Sequence, residues 1–507
     1  MTQHTICLLN DSFPPIIDGV ANAVVNYAAQ IERAHGHALV VTPEVPGADD
    51  SGYPFPVVRY PSIDTRKLIG YVTGYPFSPE AAYRIREEKT SLLHLHCPIA
   101  SALLARQIRE SQDLPLVLTW HTKYDIDIAN AIHGKLLQEG ALRALLHNVN
   151  ACDEVWTVSE GAGENLRSLG YEGDILVMPN GVDLPHAQAD EKTVREAVRD
   201  YDLPDGVPVF LFVGRLMWYK GIRIILDALK LLLEEHRDFR MIFVGNGTDA
   251  EEIRAYCREL GLDEKCFFTG AIRDRDLLRA WYTRADLFLF PSTFDTNGLV
   301  VREAAASDLA TVMVRGSCAA EGVTDGQNGF MIDENADSLA AMLRQLGEEP
   351  ERMKQVGEAA GRELYLSWAD AVAQAYDRYE AVIDNYRSGR YPKRLSIEDG
   401  LYKSQGELME AMGFMDSIRR DTQAELKARM TETRTELEAR VTARQTELEA
   451  FRQERIAEWK ALQEEFRQEM RSGRDQFREK FDALNEEFQK ELERRSAEMW
   501  DRLERYL

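Results

Sequence analysis

The chain has 507 residues, 44% of them hydrophobic, and its formal net charge at pH 7 is −24. This length exceeds what one ordinary core supports, so it predicts two domains plus an extension. A nucleic-acid backbone would repel so acidic a surface. The charge therefore argues against nucleic-acid binding and leaves only a local basic patch open.

The cysteines and the N-terminus bear on the cellular compartment. The six cysteines form no C-x-x-C pair and no regular metal spacing, so we expect them to be reduced, mostly buried and free of disulfides. The segment MTQHTICLLNDSFPP lacks the pattern of a signal peptide, and no apolar run is long enough to span a bilayer. These features predict a cytoplasmic protein, with peripheral contact to the inner face of the membrane left open.

Short apolar runs alternate with helical stretches from residue 5 to about residue 390. This alternation is typical of parallel sheets covered by helices on both faces. It predicts an α/β fold of two Rossmann-like domains that face each other across a cleft. The predicted strands of the first domain are 5–9, 38–42, 92–96, 116–120 and 175–178. Those of the second are 209–213, 241–244, 267–269, 287–290 and 311–314.

Composition sets the predicted boundaries. The turn-rich segment PNGVDLPHAQADEKT (179–193) has no periodicity and marks a domain connection. The first domain is therefore predicted at 1–185 and the second at 186–390, the latter including a return helix from about 364 to 387. A linker is predicted at 391–417 and a helical arm at 418–507.

The arm contains two apolar stripes with a period of eleven residues. The first consists of Leu426, Leu437, Leu448, Trp459, Met470, Phe481, Leu492 and Leu503, and the second of Phe466, Phe477, Phe488 and Met499. Because eleven residues correspond to about 3.67 per turn, the period predicts a straight or slightly right-handed coiled coil. Its length would be roughly 130 Å, with a weak point at Gly473. We expect it to form a homo-oligomer, and an amphipathic helix lying on a membrane is the alternative.

The segment FPSTFDTNGLVVREAAA (290–306) predicts an anion site. A strand ends at its start and a helix begins near Gly298, so the first backbone N–H groups of the helix point into the crevice at the strand ends. The residues that supply these groups are Gly298, Leu299 and Val300. Asp295 and Glu303 place carboxylates where sugar hydroxyls could donate to them, although an acidic residue beside a helix start is more often a simple cap.

The segment VGRLMWYKG (213–221) supplies cations. Arg215 and Lys220 lie on a loop between a buried strand and a helix, where they could clamp a diphosphate and stabilise its growing charge. An exposed loop with ordinary surface charges is the alternative.

Taken in order, these segments and several others resemble the family-4 glycosyltransferases. The motifs are NDSFPPIIDGVANAV, LHLH with His94 and His96, TWHTKYD with His121, MPNGVD, GRLMWYKG, VGNGTDAEEI, ADLFLFPS and GLVVREAAA. The resemblance covers about residues 1 to 390. It implies the GT-B architecture of two Rossmann-like domains, a nucleotide-sugar donor and retention of the anomeric configuration.

The resemblance also implies roles for single residues on the donor side. Gly19 matches a glycine loop that approaches the donor phosphates, and a simple turn with positive φ is its alternative role. Arg215 and Lys220 match the diphosphate-binding pair. Glu303 matches the glutamate that holds the ribose, and Glu321 matches a less specific position on the donor side.

Two more positions concern the sugar. Asp295 stands where the family has its first glutamate, which contacts the donor sugar, and Asn297 stands where a phenylalanine is common; these departures leave the sugar open. His121 matches a histidine near the donor sugar and the acceptor, while a structural role is the alternative.

The implied chemistry is front-face displacement, in which the leaving diphosphate helps to deprotonate the acceptor hydroxyl. Arg215, Lys220 and the helix start at Gly298 would replace a metal ion, so neither a metal nor a cofactor is expected. A UDP-hexose is the favoured donor. The acceptor is not identified by the sequence. A membrane glycolipid is narrowly favoured over a polysaccharide, and the loop LIGYVTGYPFSP (68–79) either meets lipid or covers its own sheet.

Two other functions remain open at this point. The body could be a catalytically weak nucleotide-sugar-binding scaffold whose arm mediates assembly, or a phosphorylase on the same fold.

Overall fold

A computed structural model describes residues 3–16, 18–65, 72–125, 128, 134–392, 396–471 and 477–504. The chain divides into two compact units, Met1–Phe414 and Met415–Leu507. Part of the loop at 68–79, namely 68–71, lies outside the described residues, as does Gly473.

The first half of the larger unit, residues 3–185, is built on a parallel sheet. Its strands are β1 (Thr5–Leu9), β2 (His37–Pro43), β3 (Val57–Tyr60), β4 (Ser62–Ile63), β5 (Thr73–Gly74), β6 (Thr90–Leu95), β7 (Leu116–Trp120), β8 (Glu154–Thr157) and β9 (Ile175–Val177). Its helices are α1 (Gly19–Ala34), α2 (Pro79–Glu87), α3 (Ala100–Gln112), α4 (Lys135–Asn150) and α5 (Glu160–Ser168). The strand order is β3-β2-β1-β6-β7-β8-β9, and β4 and β5 form a separate antiparallel pair. The order reverses between β1 and β6.

The second half, residues 186–363, repeats this plan. Its strands are β10 (Val209–Val213), β11 (Arg240–Val244), β12 (Cys266–Gly270), β13 (Leu287–Phe290), β14 (Thr311–Val314) and β15 (Phe330–Ile332). Its helices are α6 (Glu191–Val198), α7 (Ile222–Glu234), α8 (Ala250–Glu259), α9 (Arg275–Arg284), α10 (Leu299–Ala305), α11 (Ala336–Glu348) and α12 (Pro350–Glu363). The order β12-β11-β10-β13-β14-β15 reverses between β10 and β13. In open parallel sheets, ligands bind beyond the carboxyl ends of the strands at such a reversal.

Local sequence explains these elements. The strand β10 reads VFLFV and every residue in it is buried, as expected for a strand covered on both faces. The helix α7 buries Ile222, Ile225, Leu229 and Leu232, which recur at helical spacing and pack on the second sheet. The predicted α/β fold of two parallel-sheet halves is therefore confirmed. The strands β3, β4, β5, β8 and β15 were not predicted, because each has at most four residues and so gives too short an apolar pattern.

The chain then returns to the first half. Helix α13 (Trp368–Arg387) places Trp368, Tyr376 and Tyr379 in the same apolar cluster as Ile6 and Val24 of the first half. This return helix ties the two halves of the larger unit together.

The segment predicted as a linker, 391–417, differs in the structure, because helix α14 (Ile397–Arg471) begins within it. Met409 is fully buried against the first half, and Glu410 accepts a hydrogen bond from Ser111 at 2.7 Å. The guanidinium of Arg106 lies 4.5 Å from the ring centre of Tyr402. Tertiary contacts therefore order a stretch whose own composition is polar.

The smaller unit contains the rest of α14 and helix α15 (Phe477–Glu504). Trp459 stacks on Phe488 with ring centres 5.2 Å apart, and Arg495 lies 5.2 Å from the ring centre of Phe451. Because residue numbers rise along α14 while those of its partners fall along α15, the two helices are antiparallel. The long helix is confirmed, but a single rod of roughly 130 Å is wrong, since the chain folds back on itself. Association with a second chain stays a prediction.

Candidate active site

The loops after β10 and β13 form the centre of the candidate site. They leave the two strands between which the second sheet reverses its order. Gly221 joins them: its φ is +76°, and an added Cβ would lie 2.1 Å from the carbonyl oxygen of Pro291. Only glycine fits this approach, so the cationic loop before α7 is held against the loop after β13.

Lys220 and Asp295 form an ion pair in this centre. The lysine side chain is 9% exposed, and its Nζ lies 2.5 Å from Oδ1 of Asp295. Ser292 donates a hydrogen bond to the other carboxylate oxygen at 2.6 Å. Ser292 thus orients the Asp295 carboxylate through one oxygen, and the other oxygen binds the ammonium of Lys220. An anion that enters here meets a cation already in place.

Arg215 borders the same centre. Its side chain is exposed, and its guanidinium lies 6.0 Å from the ring centre of Tyr219. That ring packs on Phe294 at 4.5 Å and also lies 5.4 Å from the Nζ of Lys220. The structure therefore brings Arg215, Lys220 and Asp295 together around one aromatic pair.

The start of α10 completes this region. Gly298 has φ +59°, and an added Cβ would lie 2.8 Å from Cα of Ala319, so glycine is needed both for conformation and for space. No side chain among the described residues caps this helix. The N–H groups of Leu299 and Val300 therefore belong to an uncapped first turn. The helix is only seven residues long.

Glu303 lies further along the same helix. Its carboxylate accepts hydrogen bonds from the Tyr282 hydroxyl at 3.0 Å and from Arg275 at 3.3 Å, and Arg275 also pairs with Asp183 at 3.0 Å. Burial raises the pKa of Glu303, while Arg275 and the tyrosine hydrogen bond act against this rise. Tyr282 and Arg275 thus hold the Glu303 carboxylate in place, and among the described residues neither of them hydrogen-bonds to Asp295.

His121 ends up inside the first half. Its Nε2 lies 2.9 Å from Nδ1 of His96, and the side chain of His94 bonds to Thr119 and Tyr379 at 2.8 and 2.6 Å. Burial lowers the pKa of His121 to about 3 and also lowers the pKa values of the other two histidines. All three rings are therefore neutral at pH 7, and a neutral imidazole can donate from one ring nitrogen and accept at the other.

The two halves touch at this site. The Thr296 hydroxyl donates to the carbonyl oxygen of His121 at 2.8 Å, and the Ser159 hydroxyl donates to the carbonyl oxygen of Thr296. Glu321 accepts hydrogen bonds from the backbone N–H groups of Glu160 and Gly161, both at 2.7 Å. Glu321 thus caps α5 of the opposite half, a role that the motif match did not indicate.

Gly19 is exposed and opens α1. It lacks the positive φ of the alternative turn, and no atom lies within 4 Å of a Cβ added there.

Asn297 has both amide atoms buried, and neither has a hydrogen-bond partner among the described residues. An amide in that state costs about 1–3 kcal/mol, so its surroundings suit a polar ligand group.

Sequence reasoning missed several contacts at the site, including those of Lys123, Ser159 and Thr296. The N-cap pattern SEGAGE would have marked Ser159, whose hydroxyl accepts from the N–H of Ala162.

Across the described ranges, no three His, Cys, Asp or Glu side chains are grouped to hold a metal ion. Metal independence remains a prediction. No helix in the described part of the chain is long and apolar enough to cross a membrane.

Two family models match the chain. Residues 17–185 match Glycosyltransferase Family 4, and residues 194–363 match Glycosyl transferases group 1. The chain belongs to the family-4 glycosyltransferases. The two halves are accordingly those of the GT-B fold, and the ordered motifs identified the family correctly.

Relatives of this glycosyltransferase cover most of its larger unit. It is 22% identical to an alpha-monoglucosyldiacylglycerol synthase of Streptococcus pneumoniae over 78% of this chain and 89% of that protein. It is 31% identical to a D-inositol 3-phosphate glycosyltransferase of Xylanimonas cellulosilytica, over 53% and 67% respectively. Its fold is similar to that of Anabaena HepE, crystallised with UDP, with a TM-score of 0.60 and 19% identity over 74% of this chain and all of the other.

Proposed function

We propose that this glycosyltransferase moves a hexose from a nucleotide-diphosphate sugar, with UDP-hexose favoured, to a hydroxyl acceptor, and that it retains the anomeric configuration. The observation that carries this proposal is the buried Lys220–Asp295 pair at the strand reversal of the second sheet, with Arg215 and an uncapped helix start beside it. This arrangement supports the proposal because it combines cations with carboxylate oxygens that can accept hydrogen bonds.

The proposed reaction breaks the bond between the sugar C1 and the diphosphate oxygen. The acceptor oxygen forms the new bond to C1 on the same face, and its proton passes to the departing diphosphate. Lys220 and Arg215 would offset the charge that develops on that leaving group. Asp295, fixed by Ser292, would accept a hydrogen bond from a sugar hydroxyl, and Glu303 from the ribose.

For the acceptor, we favour a membrane glycolipid or its lipid precursor over a polysaccharide. The support is the name of the Streptococcus pneumoniae relative, which makes a glucosyl diacylglycerol. The protein would then act at the cytoplasmic face of a membrane and bind it peripherally.

The function can be tested with a donor screen. UDP-glucose, UDP-galactose and GDP-mannose would each be incubated with the protein and vesicles containing diacylglycerol, and the products identified by mass and by the NMR coupling of the anomeric proton. We expect one donor to give an α-linked glycolipid and Lys220→Ala to slow its formation about 10²–10³-fold. Lys354→Ala is the matched control, since Lys354 is an exposed lysine of α12. An inverted product would overturn the retaining mechanism.

A binding scaffold is the second candidate, favoured by Asp295 and Asn297, which depart from the family's glutamate and phenylalanine at these positions. Tight UDP binding without hydrolysis or transfer, for every donor and acceptor tried, would favour the scaffold. Turnover that requires inorganic phosphate would instead indicate a phosphorylase.

The arm can be tested separately. Because residues 397–414 pack on the first half, a chain ending at Phe414 keeps those contacts and removes only the smaller unit. We expect the full chain to sediment as an oligomer and the shortened chain as a monomer. Identical sedimentation would remove self-association through the arm. Flotation of both chains with anionic vesicles would show which unit binds membrane.

A further inference from the structure

Lys123 is a cation of the first half that faces the loop after β13. It follows β7 in the segment TWHTKYD, and its Nζ lies 5.9 Å from the ring centre of Phe294 in the second half. Among the described residues, no carboxylate pairs with it. Its half-buried side chain therefore brings an uncompensated positive charge to the boundary between the halves.

Three acidic groups of this region already make other contacts. Asp295 is bound by Lys220 and Ser292, and Glu321 accepts from the two backbone N–H groups that open α5. Asp125, two residues after the lysine, accepts a hydrogen bond from Asn165 at 3.2 Å. With no carboxylate partner among the described residues, the Lys123 ammonium is available to an anion that binds between the halves.

The aromatic pair connects this lysine to the diphosphate site. Phe294 packs on Tyr219, and both Arg215 and Lys220 lie within 6.0 Å of the Tyr219 ring centre. Cations from both halves thus flank the same two rings. A diphosphate between the halves would present phosphoryl oxygens to both sides.

We propose that Lys123 is a further donor-binding residue, which binds the diphosphate of the nucleotide sugar from the first half while Arg215 and Lys220 bind it from the second. This inference rests on the proposed function, because it assumes a nucleotide-diphosphate donor. Lysine suits the role, since its ammonium is a point charge on a long, flexible stem that can reach a phosphate across a cleft. Donor binding would then draw on both halves at once.

Calorimetric titration of the full-length protein with UDP and with uridine tests the inference. Lys123→Ala should weaken UDP binding about tenfold, the effect of losing one charge-assisted contact, and leave uridine binding unchanged. Lys123→Arg should restore most of the affinity, because it keeps the charge. Lys354→Ala removes an exposed lysine elsewhere and should bind UDP like the wild type. Thermal unfolding of each variant checks that it is folded.

The outcomes separate this inference from the proposed function. If Arg215→Ala and Lys220→Ala weaken UDP binding and Lys123→Ala does not, the role of Lys123 is overturned and the diphosphate site stands. If none of the three weakens it, the proposed donor site fails as a whole. Equal losses for UDP and uridine in Lys123→Ala would mean a structural effect and would also overturn the inference.

Discussion

The strand ends of the two halves meet at one site but differ in electrostatics. The second half carries the buried Lys220–Asp295 ion pair and the exposed Arg215 on the loops that follow β10 and β13. The first half buries His94, His96 and His121 as a neutral, hydrogen-bonded cluster behind its strand ends. One half thus presents charged side chains at the site, and the other presents a neutral cluster of buried histidines.

The largest effect is expected from removing the cation of the second half. Lys220→Ala should lower kcat about 10²–10³-fold, because a preorganised group that stabilises developing charge is lost. The measurement is the initial rate of donor hydrolysis and transfer under saturating donor. Arg215→Ala should lower the rate in the same direction. Rates within threefold of the wild type would place the charge-stabilising groups elsewhere.

The histidine cluster of the first half predicts a loss of stability in acid. Burial holds the pKa of His121 at about 3, below its ordinary 6.5, so its contribution is complete above pH 6.5 and is lost as the pH falls toward 3. Unfolding takes up a proton in that range, and each such histidine lowers the free energy of unfolding by about 1.4 kcal/mol per pH unit. Asp11 and Glu303, whose pKa values burial raises, act in the opposite direction.

A matched variant isolates the histidine. The free energy of unfolding would be measured by denaturant titration from pH 7.5 to 5 for the wild type and for His121→Gln, which keeps a polar side chain but does not titrate. Toward acid, the free energy of unfolding of the wild type should fall more steeply with pH than that of His121→Gln. The difference in slope should reach about 1.4 kcal/mol per pH unit, which corresponds to one proton taken up on unfolding. Parallel curves would contradict a neutral, buried His121.

A smaller effect, on donor binding, is expected from Gly19, which the family resemblance assigns to a loop that approaches the donor phosphates. The space beside its Cα is open, so Gly19→Ala should leave the thermal unfolding midpoint nearly unchanged. If donor phosphates approach this backbone, the added methyl group should weaken UDP binding roughly tenfold, as the loss of about 1.4 kcal/mol. Unchanged binding in a folded variant would exclude this loop from the donor site.

The contact between the halves should give the smallest effect. Glu321→Gln keeps the shape but removes the charge that caps α5, so the free energy of unfolding should fall by about 1 kcal/mol. The readout is the denaturant midpoint at pH 7. Glu334→Gln is a control, because among the described residues Glu334 accepts a hydrogen bond from exposed Thr293 alone. Equal midpoints in both variants would show that the cap contributes nothing.

Much of the site was predictable because its parts are local. Arg215 and Lys220 follow a strand of five buried residues, and Gly298 stands at a strand-to-helix turn, so short-range pattern located them. The neighbours of these residues were not predictable. Lys123 reaches Phe294 from 171 residues away in sequence, and Glu321 caps a helix that starts at Glu160. Neither contact leaves a periodic signal in the chain.

The arm shows the same division. Its eleven-residue spacing determined a long helix, because apolar period and helical pitch are local properties. The reversal that places Trp459 against Phe488 depends on which apolar surface lies within reach, and only the folded chain decides that. By itself the sequence determined the two parallel sheets, the family and the charged strand ends. The tertiary structure decided that the histidines are buried and neutral, that residues 397–414 pack on the first half, and which side chains meet across the site, because each of these depends on burial and partners distant along the chain.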